Sequence, residues 1–186
     1  HAPSNEGRPS WSRDGRWIYF YSDRTGQESI CRIAAEGGEW VQVTKGRGHE
    51  SFESPDGKLL YFEDYAVKGL QSIPTERTGW PGEGTVVLPS VWPGCWAVAE
   101  KGIYYLKFDD RSAAAYRIPK IDPRSFTTAS VSYPIIFYNF LARGEVQVGS
   151  IEKEVHRASV VLSVTWDVRF IAWSQADQRE SDLMMI

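Results

Sequence analysis

The sequence predicts an all-β propeller of about four four-stranded antiparallel blades, and three observations carry that prediction. Ser12-Arg13-Asp14-Gly15-Arg16-Trp17-Ile18-Tyr19-Phe20 is echoed 42 positions on by Ser54-Pro55-Asp56-Gly57-Lys58-Leu59-Leu60-Tyr61-Phe62. Each copy is a tight turn followed by an apolar run that ends in two aromatics, and a period in the low forties with that order is the length of one blade. Aromatic residues make up 13% of the 186 positions, which suits flat rings filling the space between stacked sheets.

Residues 1–8 read as an N-terminal extension, and the first blade takes 9–48. Pro9–Ser12 is its inner strand, and Asp14-Gly15 makes the turn because Gly takes the positive φ a tight hairpin demands. Trp17–Ser22, Ser29–Ala34 and Trp40–Thr44 complete it, with a polar turn at Asp23–Gly26. The second blade, 49–91, repeats the plan with Glu50–Ser54, Leu59–Glu63, Gly69–Pro74 and Thr85–Leu88. The third, 92–158, opens on Cys95–Ala99, replaces the usual turn by Glu100-Lys101-Gly102, and continues with Ile103–Phe108, Ile135–Phe140 and Glu145–Ser150. Gly15 to Gly57 is 42 residues, Gly57 to Gly102 is 45 and Gly102 to the equivalent Val168 is 66, so the third blade carries an insertion near 109–133.

The fourth blade, 159–186, is incomplete, with strands at Leu162–Val164, Arg169–Ser174 and Asp182–Ile186. Val168 stands where a Gly is expected. A β-branched residue at positive φ costs about 1–2 kcal/mol, so this turn is expected either to change conformation or to be strained. An open strand edge needs cover, and Pro3 and Gly7 make the leading segment a poor closing strand. The chain is therefore expected to be part of a larger ring or to be completed by oligomerisation.

Several function classes are disfavoured. A net charge of -3 argues against nucleic acid, whose phosphates need clustered Lys and Arg. No apolar run approaches the ~18 residues of a membrane span, and residues 1–8 lack the apolar centre of a signal peptide. Cys31 and Cys95 fall in strands of different blades and read as buried thiols. There is no Gly-x-Ser-x-Gly elbow, and His1, His49 and His156 show no metal-ligand spacing. No catalytic residue, cofactor or metal is expected. Asp109-Asp110-Arg111 offers carboxylates but lacks the spacing of a calcium loop.

The recurring turn residues Asp14 with Gly15, Asp56 with Gly57, and Asp167 are read as structural, each carboxylate accepting backbone N–H bonds. Trp80, Trp92 and Trp96 cluster around Pro81-Gly82 and Pro93-Gly94; Trp96, in a strand, reads as a core residue, whereas Trp80 sits in a polar loop where a ring could anchor a partner or stack on a sugar. Glu50, Glu53 and Glu63 are expected on a solvated face. Loops of several blades converge at one face of a propeller, and Arg24, Trp80, Asp109, Asp110 and Arg111 are the candidate contacts there for a protein or small-ligand partner.

Pro9-Ser10-Trp11-Ser12-Arg13-Asp14-Gly15 and Ser54-Pro55-Asp56-Gly57, with the strand after each and the following Ser22-Asp23-Arg24-Thr25-Gly26, resemble the repeats of the TolB-like propeller family. The last stretch, Arg169-Phe170-Ile171-Ala172-Trp173-Ser174-Gln175 and Ser181-Asp182-Leu183-Met184-Met185, is similar to the C-terminal blades of bacterial winged-helix regulators. Trp166 and Val168 depart from the family's Pro and Gly. The resemblance implies a non-catalytic protein-binding or sensory module of a bacterial periplasm or cytoplasm. The same propeller also precedes the hydrolase domain of prolyl oligopeptidases, so the resemblance leaves open an accessory, substrate-gating propeller of a serine peptidase.

Overall fold

Strand formers alternate with turn residues along the whole chain, and the structure, a computed structural model, turns that pattern into antiparallel meanders. It describes residues 4–64, 67–76, 83–107, 132–152, 162–165, 167–177 and 180–185. Two compact units form, His1–Pro89 and Ser90–Ile186. The first unit holds two four-stranded sheets. One is β1 (Glu6–Trp11), β2 (Trp17–Ser22), β3 (Ser29–Ala34) and β4 (Val41–Gln42); the other is β5 (Ser51–Glu53), β6 (Leu59–Asp64), β7 (Val67–Pro74) and β8 (Thr85–Leu88). The second unit holds the sheet of β9 (Val91–Ala99), β10 (Gly102–Lys107), β11 (Tyr133–Asn139) and β12 (Gly144–Ile151). Its other sheet is β13 (Leu162–Val164), β14 (Ile171–Asp177) and β15 (Glu180–Met185). Within each sheet every strand pairs with the next in the chain, in antiparallel order.

Three of the four inner turns are built alike. The Ser12 hydroxyl donates to Asp14 Oδ1 at 2.7 Å and accepts the Trp17 N–H at 2.8 Å, while Gly15 N–H donates to the Ser12 carbonyl at 3.1 Å. Ser54, Asp56, Gly57 and Leu59 repeat the set at 2.6, 2.9 and 2.9 Å. Thr165 replaces Ser in the last copy, accepting the Phe170 N–H at 3.1 Å, and Val168 N–H donates to its carbonyl at 2.8 Å. The fourth residue of the turn has φ 71° at Gly15, 69° at Gly57 and 57° at Val168. Of the two outcomes the sequence allows, the strained one is found: the valine keeps the turn and takes the left-handed conformation.

Gly102 is not the counterpart of Gly15 and Gly57. It opens β10 and pairs with Ala99 across a two-residue hairpin. A Cβ there would strike the Tyr138 carbonyl and the Phe137 ring, so a close approach, not a positive φ, requires glycine.

β1 begins at Glu6, inside the segment read as an extension. Arg8 adopts φ 50° and the register slips between Gly7 and Ser10, so a bulge absorbs the Gly and Pro that argued against a strand. Asp23 pins its start, accepting from Asn5 N–H and Nδ2, both at 2.8 Å. β4 is shorter than the Trp40–Thr44 alternation suggested, because the Thr44 hydroxyl takes over and accepts the Ile30 N–H at 3.0 Å. The insertion near 109–133 lies almost wholly outside the described residues.

Each unit has its own core. Tyr19, Ile30, Leu60, Phe62 and Ile73 form one. Trp92, Tyr104, Tyr133, Ile135, Leu162 and Trp173 belong to the other. Cys31 and Cys95 are fully buried thiols. Among the described residues no helix is long and apolar enough to cross a membrane.

Candidate functional site

A strand end that carries charge must either reach water or find a partner, and β5 ends on Glu53 at 6% exposure. Its carboxylate is satisfied by the neighbouring sheet. Tyr19 on β2 donates its hydroxyl to Oε1 at 2.7 Å, and Arg13 N–H, in the first turn, donates to Oε2 at 2.7 Å. Arg13 Nη2 also donates to the Glu53 carbonyl at 3.2 Å. Burial, and then the Glu53 carboxylate, push the Tyr19 hydroxyl far above its ordinary range, so it stays a donor. Arg32, directly across from Tyr19 on β3, is 7% exposed. Its guanidinium lies 4.3 Å from the Trp17 ring and donates to the Thr75 carbonyl at 3.3 Å.

These side chains wall a cleft of about 570 Å3 between the first two sheets, with Arg16, Asp14, Asp56 and Glu76 at its margin. The two turn aspartates face it with their charges fixed. The Arg16 N–H and then the Ser12 hydroxyl hold Asp14 below the usual carboxylate range, and the Ser54 hydroxyl and then the Lys58 N–H do the same for Asp56. Both are therefore turn residues that also line the cleft.

Glu50, Glu53 and Glu63 do not form a solvated face. Glu63 is 3% exposed, and Glu50 lies at the inner strand, ion-paired with Arg8 at 3.1 Å. The inner strands of two sheets meet here, so polar residues that alternation alone would send outward are enclosed and paired instead. His49 stacks on Tyr21 at 4.7 Å between ring centres, with Nδ1 3.9 Å from Glu63 Oε1.

Of the sequence-derived contacts, Arg24 lies elsewhere in the first sheet. It is ion-paired with Glu6, donates to the Ser22 hydroxyl at 3.1 Å and sits 4.6 Å from the Trp40 ring, so it ties β1 and β2 to the segment before β4. Trp80, Asp109, Asp110 and Arg111 lie outside the described residues. Asp167 is in the second unit, held below its ordinary range by the Thr165 hydroxyl and then by Arg169, and lines a smaller cavity of about 250 Å3. The sequence reading missed Arg13, Tyr19, Arg32 and Glu53 as a group. The available signal was Glu53 itself, a carboxylate directly before the Ser-Pro-Asp-Gly turn. Among the described residues no group of three or more His, Cys, Asp or Glu is placed to hold a metal ion.

No protein-family model matches the chain. An uncharacterised protein of Agrobacterium fabrum (strain C58) is 37% identical over 67 residues, which is 35% of this chain and 23% of that protein. The structure is similar to that of a putative TolB from Agrobacterium tumefaciens, with TM-score 0.63 and 15% identity over 100% of this chain and 59% of the other. It is also similar to an oligogalacturonate lyase from Vibrio parahaemolyticus, with TM-score 0.62 and 14% identity over 95% of this chain and 50% of the other. The chain spans under a quarter of the curated relative and between half and three fifths of the two solved structures. At these identities the likeness is one of fold.

Proposed function

We propose that this chain, whose fold is the TolB-like β-propeller, is a non-catalytic binding module that takes a polar, charged ligand in the cleft between its first two sheets. The observation that carries this reading is the state of the cleft's buried groups. The Glu53 carboxylate accepts on both oxygens and the Tyr19 hydroxyl is spent on one of them, so neither is poised as a base or nucleophile. What remains for a ligand is recognition: three arginines, Arg13, Arg16 and Arg32, set among Asp14, Asp56 and Glu76. Guanidinium groups suit carboxylate-bearing ligands, and the carboxylates at the margin suit cationic or hydroxyl groups.

One neighbour in fold is an oligogalacturonate lyase, which supplies a defined carboxylate-rich probe and an assay for the opposite outcome. Oligogalacturonate and a short peptide of alternating Glu and Lys are each titrated into the whole chain while the Trp17 indole resonance is followed. Saturable shifts at Trp17, without appearance of unsaturated uronate product, are expected from at least one probe. Product formation overturns the non-catalytic reading, and an unmoved Trp17 with both probes overturns the cleft.

A further inference from the structure

The register makes the two units comparable position by position. In the first, Ser12 is joined to Trp17, and Tyr19, two places on, pairs with Arg32. In the second, Ala99 is joined to Gly102, and Tyr104, two places on, pairs with Phe137. Glu53 is the residue before Ser54, and Val164 is the residue before Thr165 in the matching turn. So the positions that hold Tyr19, Arg32 and Glu53 in one unit hold Tyr104, Phe137 and Val164 in the other.

The exchange leaves a consequence at the tyrosine. Tyr19 has Glu53 to receive its hydrogen, whereas the matching position beside Tyr104 is an aliphatic side chain. Tyr104 is 8% exposed, and among the described residues its hydroxyl makes no hydrogen bond. Burial by itself raises its pKa. The hydroxyl oxygen itself is not enclosed, so a ligand can reach it.

Tyr104 lines the cavity of about 250 Å3 together with Phe137, Ala99 and Val168, and with Glu100, Lys101 and Asp167. The Tyr104 and Phe137 rings lie 4.6 Å apart. Val168 is the strained residue that replaces glycine, and its side chain forms part of the wall. Strain of this kind persists where the site uses it. The charges give no net preference: Glu100 and Lys101 oppose each other, and Asp167 is paired with Arg169.

We propose that this cavity is a binding site for a small uncharged ring that carries one hydrogen-bonding oxygen, the ring lying against Phe137 and Val168 and the oxygen meeting the Tyr104 hydroxyl. The space is sufficient, since an apolar cavity of about 150 Å3 takes up benzene. The site is separate from the charged cleft of the first unit and does not depend on it.

Phenol and benzene are the probes, titrated separately into the whole chain by calorimetry. Phenol is expected to bind about tenfold more tightly than benzene, one hydrogen bond's difference. Tyr104→Phe is expected to remove that advantage and leave benzene unchanged. Val168→Gly, which gives this turn the residue its two counterparts already carry, is expected to weaken both probes severalfold. It also serves as the test should Tyr104→Phe not fold. Equal binding of phenol to the wild type and Tyr104→Phe, no loss in Val168→Gly, or no binding of either probe to the wild type overturns the proposal.

Discussion

Tyr19 donates its phenolic hydrogen to Glu53 Oε1 at 2.7 Å, joining the second strand of one sheet to the inner strand of the next. Hydrogen bonds to a charged acceptor contribute about 1.5–3 kcal/mol where neutral ones contribute about 1. Tyr19→Phe is therefore expected to cost about 2 kcal/mol in urea unfolding. Glu53→Ala is expected to cost more, because it strands the buried phenol and the Arg13 N–H together. The double variant should cost less than the two single ones added, and strict additivity would show that the bond does not join the sheets energetically.

Gly15 offers a clean reading of backbone strain, since a Cβ there would meet nothing within 4 Å. Gly15→Val should reproduce in the first turn what Val168 does in the last, lowering stability by about 1–2 kcal/mol. Val168→Gly should raise it by up to about 1 kcal/mol, the gain being trimmed by the entropy glycine recovers on unfolding. Thermal unfolding of both variants checks the pair, and opposite signs are required.

The His49 cluster sets a pH response. Burial, followed by the Arg8 charge, lowers the His49 pKa below its usual 6.5, against a smaller opposing pull from Glu28. Glu50 and Glu63 and the Tyr21 ring complete its surroundings. The folded state then binds the proton less well than the unfolded chain, so stability is full above about pH 6.5 and declines as pH falls through the lowered value. Glu50 has the opposite sign. Burial raises its pKa, so its neutral form favours folding in acid. His49→Gln should flatten the decline below about pH 6.5 in urea midpoints measured from about pH 8 to about pH 5. An unchanged slope would exclude His49 as its source.

Arg24 reads from the sequence as a ligand contact, and the structure engages it instead with Glu6, Ser22 and Trp40. Arg24→Ala should therefore lower stability by about 1 kcal/mol while leaving probe-induced shifts at Trp17 intact. Loss of those shifts in a folded variant would return Arg24 to the ligand surface.

The turns and strands were legible because their causes are local. Ser, Asp and Gly spaced around one hairpin specify the same bonds at Ser12 and at Ser54, and Thr85–Leu88 falls where its β-branched residues put it. The cleft was not legible, because Glu53 meets its partners 34 and 40 residues earlier in the chain. Alternation assigns a side to each residue of a strand but is silent on whether that side faces water or another sheet. The same limit hid Arg32, whose charge sits among apolar β3 neighbours and is accommodated by Trp17 and Thr75.

The inner turn supplies its own wiring. Hydroxyl, carboxylate and backbone within six residues satisfy one another, and none of those three bonds uses Tyr19, Arg32 or Glu53. Those residues are consequently exchangeable without rebuilding the scaffold. Within a single polypeptide the same three stations already read tyrosine, arginine, glutamate in one copy and tyrosine, phenylalanine, valine in another. A lineage of such chains can thus shift from ionic to oily recognition by point replacement, one station at a time, with the loops left as they are.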